Sequence, residues 1–383
     1  LAVAPRLVSG LDGAALTGRA RKHNLALTAL ELGIAQSSVV DVTVMRPLLR
    51  LAWLAPMVAL LPAGGLAAPD PLRIGGSSTV FPVMQAAIAA YQKGGANRQV
   101  RFELKETGTS AGFRQFCSGQ LPLANASRPI NAKELKACAA KGVTFLELPI
   151  GFDAITVVVN PANTWASSIT TRELARLWNQ RATGSVKTWS QVNLDWPNRS
   201  IRLCGPGKDS GTYDYFNKAV NGDEANSRSD YFASEDDNDL VACVAKHPDA
   251  LGYFGFAYYQ ANAKRLKPLS VVGKKGAAMP SLASVQKEAY VPLSRPLFLY
   301  VNDKALRQRP ELQKFVTYTV KNGLKLVKQA GYIPMPTSTY LLVESKLYRH
   351  VTGTAFGGDL PVGLTTGQAL QRSLESIKKP EFR

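Results

Sequence analysis

The strongest constraint in this 383-residue chain is a repeated unit: a short apolar run, a loop of glycines and hydroxyl residues, then a helical segment. PLRIGG at 71–76 reads as a strand and leads through Ser77-Ser78-Thr79 into a helix from about Pro82 to Lys93. QVRFELK at 99–105 alternates as a strand and precedes a helix near 110–118; LPLANAS at 121–127 precedes one at 132–141. A unit repeated at this spacing predicts an α/β domain with a mostly parallel sheet. The apolar passage 144–160 reads as a crossover to a second lobe of similar construction. There, helices fall at 170–179, 211–220 and 236–246, and strands at 200–204 and 251–256. The return near 269–273 leads to a strand at 296–302 and helices at 309–321 and 323–330. Thr337–Tyr348 reads as a helix and 351–364 as a glycine-rich loop. The length alone predicts two domains.

The first methionine is Met45. After it come Arg46 and Arg50, an apolar stretch from Leu51 to Leu61, and the small-x-small pattern Gly65-Leu66-Ala67. That is the anatomy of a secretory signal peptide over 45–67, with an apolar stretch too short to span about 30 Å of hydrocarbon. Residues 1–44 then read as a non-native or disordered extension. No cysteine lies near the cleavage pattern, so the mature chain is expected free in the periplasm, without a lipid anchor.

The four cysteines, Cys117, Cys138, Cys204 and Cys243, all follow that point, and an even number in an exported chain favours disulfides. Proximity suggests Cys117–Cys138 and Cys204–Cys243 among three possible connectivities. Zinc competes, but no Cys-x-x-Cys or paired histidine supports it, and no metal or other cofactor is expected. His23, His247 and His350 share no local motif and read as surface residues. The formal net charge of +18 attracts anions. Its basic residues are scattered instead of forming a stripe interleaved with aromatics, which argues against nucleic acid.

Three loops share one chemistry: Gly75-Gly76-Ser77-Ser78-Thr79, Thr107-Gly108-Thr109-Ser110-Ala111-Gly112 and Lys208-Asp209-Ser210-Gly211-Thr212. Each precedes a helix, whose first N–H groups are unpaired and whose start carries partial positive charge. Ligands of open α/β sheets bind where such loops leave the carboxyl ends of strands. Arg128, in Asn125-Ala126-Ser127-Arg128-Pro129, adds a planar fork of donors held by the proline that follows. Asp209 has two readings: the N-cap of its helix, or an acceptor for a proton carried by the ligand. Hydrogenphosphate has such a proton at neutral pH and sulfate has none. No catalytic residue is predicted, since there is no Gly-x-Ser-x-Gly elbow, no Walker loop, and no histidine placed to activate Ser210.

Four motifs carry a family resemblance: GSSTVFP at 76–82, ETGTSAGFRQFCSG at 106–119, NASRPI at 125–130 and GPGKDSGTYDYF at 205–216. With them the chain resembles the periplasmic phosphate-binding proteins of ABC transporters, in a branch found in cyanobacteria and some other Gram-negative bacteria. The resemblance implies the type II periplasmic-binding fold, with lobe one at 68–157 and 272–345, lobe two at 158–271 and a tail at 346–383. It implies inorganic phosphate held by Ser78, Thr79, Ser110, Ser210, Gly211 and Thr212, with Ser77, Arg128 and Asp209 beside them. It also implies a monomer that delivers phosphate to permease subunits. The best-known members carry an aspartate where this chain has Arg128 and an arginine where it has Pro206. The charged partners therefore look exchanged between lobes. The alternatives are a receptor for sulfate, molybdate or arsenate, or an exported phosphatase using Ser210.

Overall fold

The computed structural model describes residues 70–364 and 366–375. The expected extension 1–44 and signal peptide 45–67 lie outside them. The first lobe opens with β1 (Leu72–Gly76), α1 (Phe81–Gln92), β2 (Phe102–Glu106), α2 (Thr109–Cys117), β3 (Leu123–Ala126), α3 (Ala132–Ala140) and β4 (Phe145–Ala154). The second lobe contains β5 (Thr156–Val159), β6 (Ser168–Thr170), α4 (Thr171–Trp178), α5 (Trp189–Val192), β7 (Arg202–Pro206), α6 (Gly211–Asn221) and β8 (Phe232–Ser234). It continues with α7 (Asp237–Lys246), β9 (Ala250–Phe254), α8 (Phe256–Ala261), β10 (Lys267–Pro268), β11 (Ser270–Gly273) and β12 (Gly276–Ala278). The chain returns through α9 (Leu282–Gln286) and β13 (Ser294–Asn302) to α10 (Asp303–Gln308), α11 (Pro310–Lys321), α12 (Gly323–Gln329), α13 (Thr337–Tyr348) and α14 (Thr366–Glu375).

Two five-stranded sheets form, in the orders β2-β1-β3-β13-β4 and β10-β5-β9-β7-β8, with a small sheet β12-β11-β6 beside the second. The repeated unit makes β1, β2 and β3 parallel, as expected. The sheet is nonetheless mixed, because β13 enters antiparallel between β3 and β4. A strand arriving from the other lobe is free of the right-handed crossover that keeps βαβ neighbours parallel. Strands β4 and β13 are long, nearly wholly buried apolar runs, and β4 and β5 are separated by Ile155 alone. The two lobes are thus joined at the bases of two strands that pair with each other.

Both expected disulfides are present: Cys117–Cys138 ties α2 to α3, and Cys204–Cys243 ties β7 to α7. Each lobe therefore carries its own staple beside one of the three glycine–hydroxyl loops, worth about 3–4 kcal/mol by loop-closure entropy. Helix α4 is set by Thr170, which forms a reciprocal capping box with Glu173. The second lobe packs on aromatics, with Trp178 edge-on to Tyr253 and Phe216 stacked on Tyr253 at 3.8 Å.

Residues 346–364, expected as part of a tail, pack against the rest of the chain. Beyond α13, residues 351–364 return along the first lobe, where Thr354 Oγ1 and the Ala355 N–H donate to the buried Glu147 carboxylate. The Gly358 carbonyl accepts from Ala132 N–H at 3.0 Å. Gly363 N–H then reaches the hydroxyl of Tyr215 on α6 of the second lobe. The same hydroxyl donates to Ser294 O at the start of β13.

Candidate functional site

Each of the three loops is seated by a glycine that nothing larger could replace: Gly76, Gly108 and Gly211. Gly76 has φ +125°, and a Cβ there would collide with the Asn125 carbonyl on neighbouring β3. A Cβ on Gly211 would lie 2.6 Å from Thr109 Oγ1 and 2.7 Å from Ser127 Oγ. The start of α6 in one lobe therefore packs directly on the α2 start and the end of β3 in the other.

Hydroxyls converge at this junction. Thr79 and Thr212, from opposite lobes, stand 3.1 Å apart at their Oγ1 atoms. Ser78 Oγ faces Asp237 Oδ2 at 3.5 Å, and Ser77 Oγ accepts from Val80 N–H within its own turn. Ser110 Oγ donates to Asp214 of α6, while its N–H donates to the Asp209 carbonyl at 2.9 Å. Ser210 is the N-cap of α6, its Oγ accepting from Thr212 N–H. All of these side chains are buried except Ser110, which is half-buried.

Arg128 belongs to this junction, with its side chain fully buried. Its Nε donates to Asp214 at 2.7 Å, and Nη1 and Nη2 form a fork on Glu134 at 2.8 Å each. The remaining donors go to Pro129 O and Ser110 Oγ. Five N–H groups thus meet five acceptors, and Arg128 touches the hydroxyl cluster through Ser110. Glu134 also completes the capping box of α3 with Asn131, so the helix start itself aims the carboxylate. Burial opposes the charge of Arg128, but Glu134 and Asp214 outweigh it and hold the guanidinium protonated. Asp214 is pushed up by burial, against the pull of Arg128.

Asp209 lies elsewhere than an acceptor for a buried ligand would. Its two oxygens take a bidentate fork from Arg114 at 2.7 Å on each side, in a partly exposed pair bridging the lobes at the rim. Nor is it the N-cap of α6, a position Ser210 takes. Arg114 holds its carboxyl below the usual range.

Two residues that local sequence did not single out occupy the centre. Arg295, on β13, donates to Asp153 Oδ2 at 2.8 Å, Thr212 Oγ1 at 2.8 Å, Thr79 Oγ1 at 3.2 Å and Gly211 O at 3.1 Å. Asp237, the first residue of α7, is 1% exposed. Burial drives its carboxyl well above the ordinary value; Arg295 counters this, while Asp153, Glu106 and Asp236 add to it. Asn125 adds a buried amide whose oxygen and nitrogen have no partner among the described residues. Glu106 and Glu235, near the acidic start of α7, are each raised to about 7, chiefly by burial.

The junction therefore joins two buried guanidinium groups, each matched by carboxylates, to hydroxyls and helix starts from both lobes. Such a site solvates an oxyanion with fixed dipoles in place of a free countercharge. Among the described residues, no three His, Cys, Asp or Glu side chains are grouped to hold a metal ion.

The PBP superfamily domain matches residues 62–322 of the chain. The protein SphX of Synechocystis is 42% identical over 301 residues, 79% of this chain and 89% of that one. The phosphate-binding protein PstS of Staphylococcus aureus is 32% identical over 267 residues, 69% of this chain and 78% of that one. A crystal structure of a possible phosphate binding protein from Planctomyces limnophilus covers 74% of this chain and 99% of its own, at 37% identity and TM-score 0.55. A putative phosphate ABC transporter substrate-binding protein from Clostridium perfringens, with bound phosphate, shares the fold at TM-score 0.59 and 22% identity, covering 70% and 100% of the two chains.

Proposed function

We propose, from the premise that this chain belongs to the PBP superfamily, that it is a phosphate-binding receptor of an ABC transporter, closing its two lobes over inorganic phosphate. The relatives named for phosphate binding, at 32% identity and over most of their length, support the ligand class. The observation that carries the reading is structural: the starts of α1, α2 and α6, from both lobes, meet at one buried cluster of hydroxyls. Ser77, Ser78, Thr79, Ser110, Ser210, Gly211 and Thr212 supply hydroxyl and amide donors. Arg128 supports them through Ser110, and Arg295 through Thr79 and Thr212.

Selectivity falls to Asp237 in this reading, with Asp209 acting as a rim contact. A buried carboxylate beside a bound dianion is repulsive unless one proton lies between them. Hydrogenphosphate brings that proton and sulfate does not, so wherever the raised Asp237 carboxyl is charged, sulfate binds only with a proton taken from solvent. Above the pKa of Asp237, sulfate competition should therefore strengthen about tenfold for each unit fall in pH and level off below it.

Binding without turnover completes the proposal. The Ser210 hydroxyl is committed to its helix as the cap, His350 pairs with Asp303, and His247 sits at the far end of α7. Export to the periplasm and delivery to a membrane permease follow from the sequence reading of 45–67 and from the family. Calorimetric titration with inorganic phosphate tests the function directly. One ion per chain is expected, with affinity lost in Thr79→Val and Thr212→Val; absence of binding would end the proposal.

A further inference from the structure

Helix α13 is built inside out. Its inner face places Lys346 at 3% exposure among Tyr340, Val343 and Leu347, near the buried Glu147. Its outer face exposes Leu341 (62%), Leu342 (42%) and Tyr348 (86%). At 3.6 residues per turn, Ser338, Leu341, Leu342, Ser345, Tyr348 and Arg349 share one arc of about 120°. The helix cannot turn to hide its leucines. Tyr340 fixes its rotation by donating to Ile150 O at 2.7 Å, with its ring against the Cα of Gly323.

The neighbouring elements extend the surface instead of covering it. Leu324, next to Gly323, is also exposed, and Lys321 at the end of α11 reaches Glu344 of α13 at 3.1 Å. Lys325 and Lys328 are exposed on the same helix as Leu324, and exposed Arg349 follows Tyr348. The patch thus has apolar side chains at its centre, a tyrosine at its edge and cations about it. Leu194, by contrast, is an exposed leucine on the other lobe, in the turn after α5.

We propose that the α13 face docks the protein on an anionic phospholipid surface. Apolar side chains inserted at the acyl boundary, with lysine and arginine at the headgroups, are the two signals that together give peripheral binding. Tyrosine suits the same boundary because its ring is apolar and its hydroxyl polar. Charge selects this occupant: the rim is basic, and without residues 1–67 the chain still carries 40 Lys/Arg against 25 Asp/Glu, or +15. Among the described residues no helix is long and apolar enough to cross a membrane, so docking is by contact with the surface. The patch shares no residue with the hydroxyl cluster, and docking is independent of the anion bound between the lobes.

Sedimentation with phosphatidylglycerol/phosphatidylcholine vesicles, set against phosphatidylcholine vesicles, tests the proposal. The expected result is selective binding to the anionic vesicles, released by salt but not by saturating inorganic phosphate. Leu341→Ser/Leu342→Ser/Tyr348→Ser should weaken it about tenfold or more, and Lys325→Gln/Arg349→Gln should reduce its salt dependence. Leu194→Ser should leave it unchanged. Thermal melts of the variants should match the wild type, since every altered side chain is exposed. Equal binding by the triple variant, equal binding to neutral vesicles, or self-association through this face in place of vesicle binding would each overturn it.

Discussion

Arg114 and Arg128 both cross from the first lobe to the region where α6 begins, and they face opposite physical problems. The Arg114–Asp209 fork stands at the rim, where water and salt reach it. Arg128 has no exposed side-chain surface and closes a five-acceptor network with Glu134 and Asp214. Bond lengths are the same, 2.7–2.8 Å, yet the consequences differ. At the rim, removing a partner returns the other to solvent. At depth, removal strands buried carboxylates with nothing to neutralise them. The comparison teaches that burial, and not geometry, decides which arginine the receptor depends on.

The largest expected effect follows from breaking the deep network. Arg128→Ala should cost about 3–5 kcal/mol of stability in urea unfolding, since Glu134 and Asp214 lose their common partner. It should also weaken phosphate binding at least about tenfold, or 1.4 kcal/mol, by calorimetry, through the freed Ser110 hydroxyl. Unchanged affinity would separate Arg128 from the site.

Asp237→Asn comes next. An amide in place of the carboxyl removes the acceptor for the ligand's proton and supplies an N–H donor. Phosphate affinity should fall about tenfold while sulfate competition at pH 8 appears. Competition titration reads both, and sulfate discrimination as strong as in the wild type would return the selectivity question to the rim.

A third effect concerns two buried carboxyls near the start of α7. Glu106 of the first lobe faces Asp236 of the second, and burial with that neighbour raises its carboxyl to about 7; burial raises Glu235 likewise. In the folded state both stay protonated above their unfolded value near 4.5. The native state therefore binds more protons between about pH 4.5 and 7, and stability should decline as pH rises through that window. Glu106→Gln/Glu235→Gln should flatten this slope in a series of melts; an unaltered slope would assign it to other groups.

The smallest effect belongs to the rim. Arg114→Ala should change stability by no more than about 1 kcal/mol, a difference that shrinks further in high salt. A loss as large as that of Arg128→Ala would erase the distinction between the two arginines.

What the sequence disclosed followed the distance over which each signal acts. Strand–loop–helix units and the three loops are local patterns, and they were legible in the order of residues. The cysteine pairs were legible because each spans only 21 or 39 positions within one lobe. Arg295 was not, because PLFLYVN beside it reads as an ordinary buried strand and its partner Asp153 is 142 positions away. Asp237 hides in the acidic run Glu235-Asp236-Asp237, which resembles a solvated helix start; only the packing of Ser78 against it reveals the buried member. Asp209 misled for the converse reason: adjacency to Ser210 in sequence says nothing about the direction of its side chain, which Arg114 draws outward. The segment 351–364 read as a loop, and its glycines do turn the chain. Its bonds to Glu147, Ala132 and Tyr215 are long-range.

A crystal structure of the protein grown with inorganic phosphate would show whether helix starts from both lobes share one ion. One tetrahedral ion is expected, without intervening water, bonded to the Ser78–Thr79 turn and Ser110 of one lobe and to the Ser210–Thr212 turn of the other, with an oxygen at Asp237. An ion held by one lobe alone, or at the exposed Arg114 rim, would contradict it.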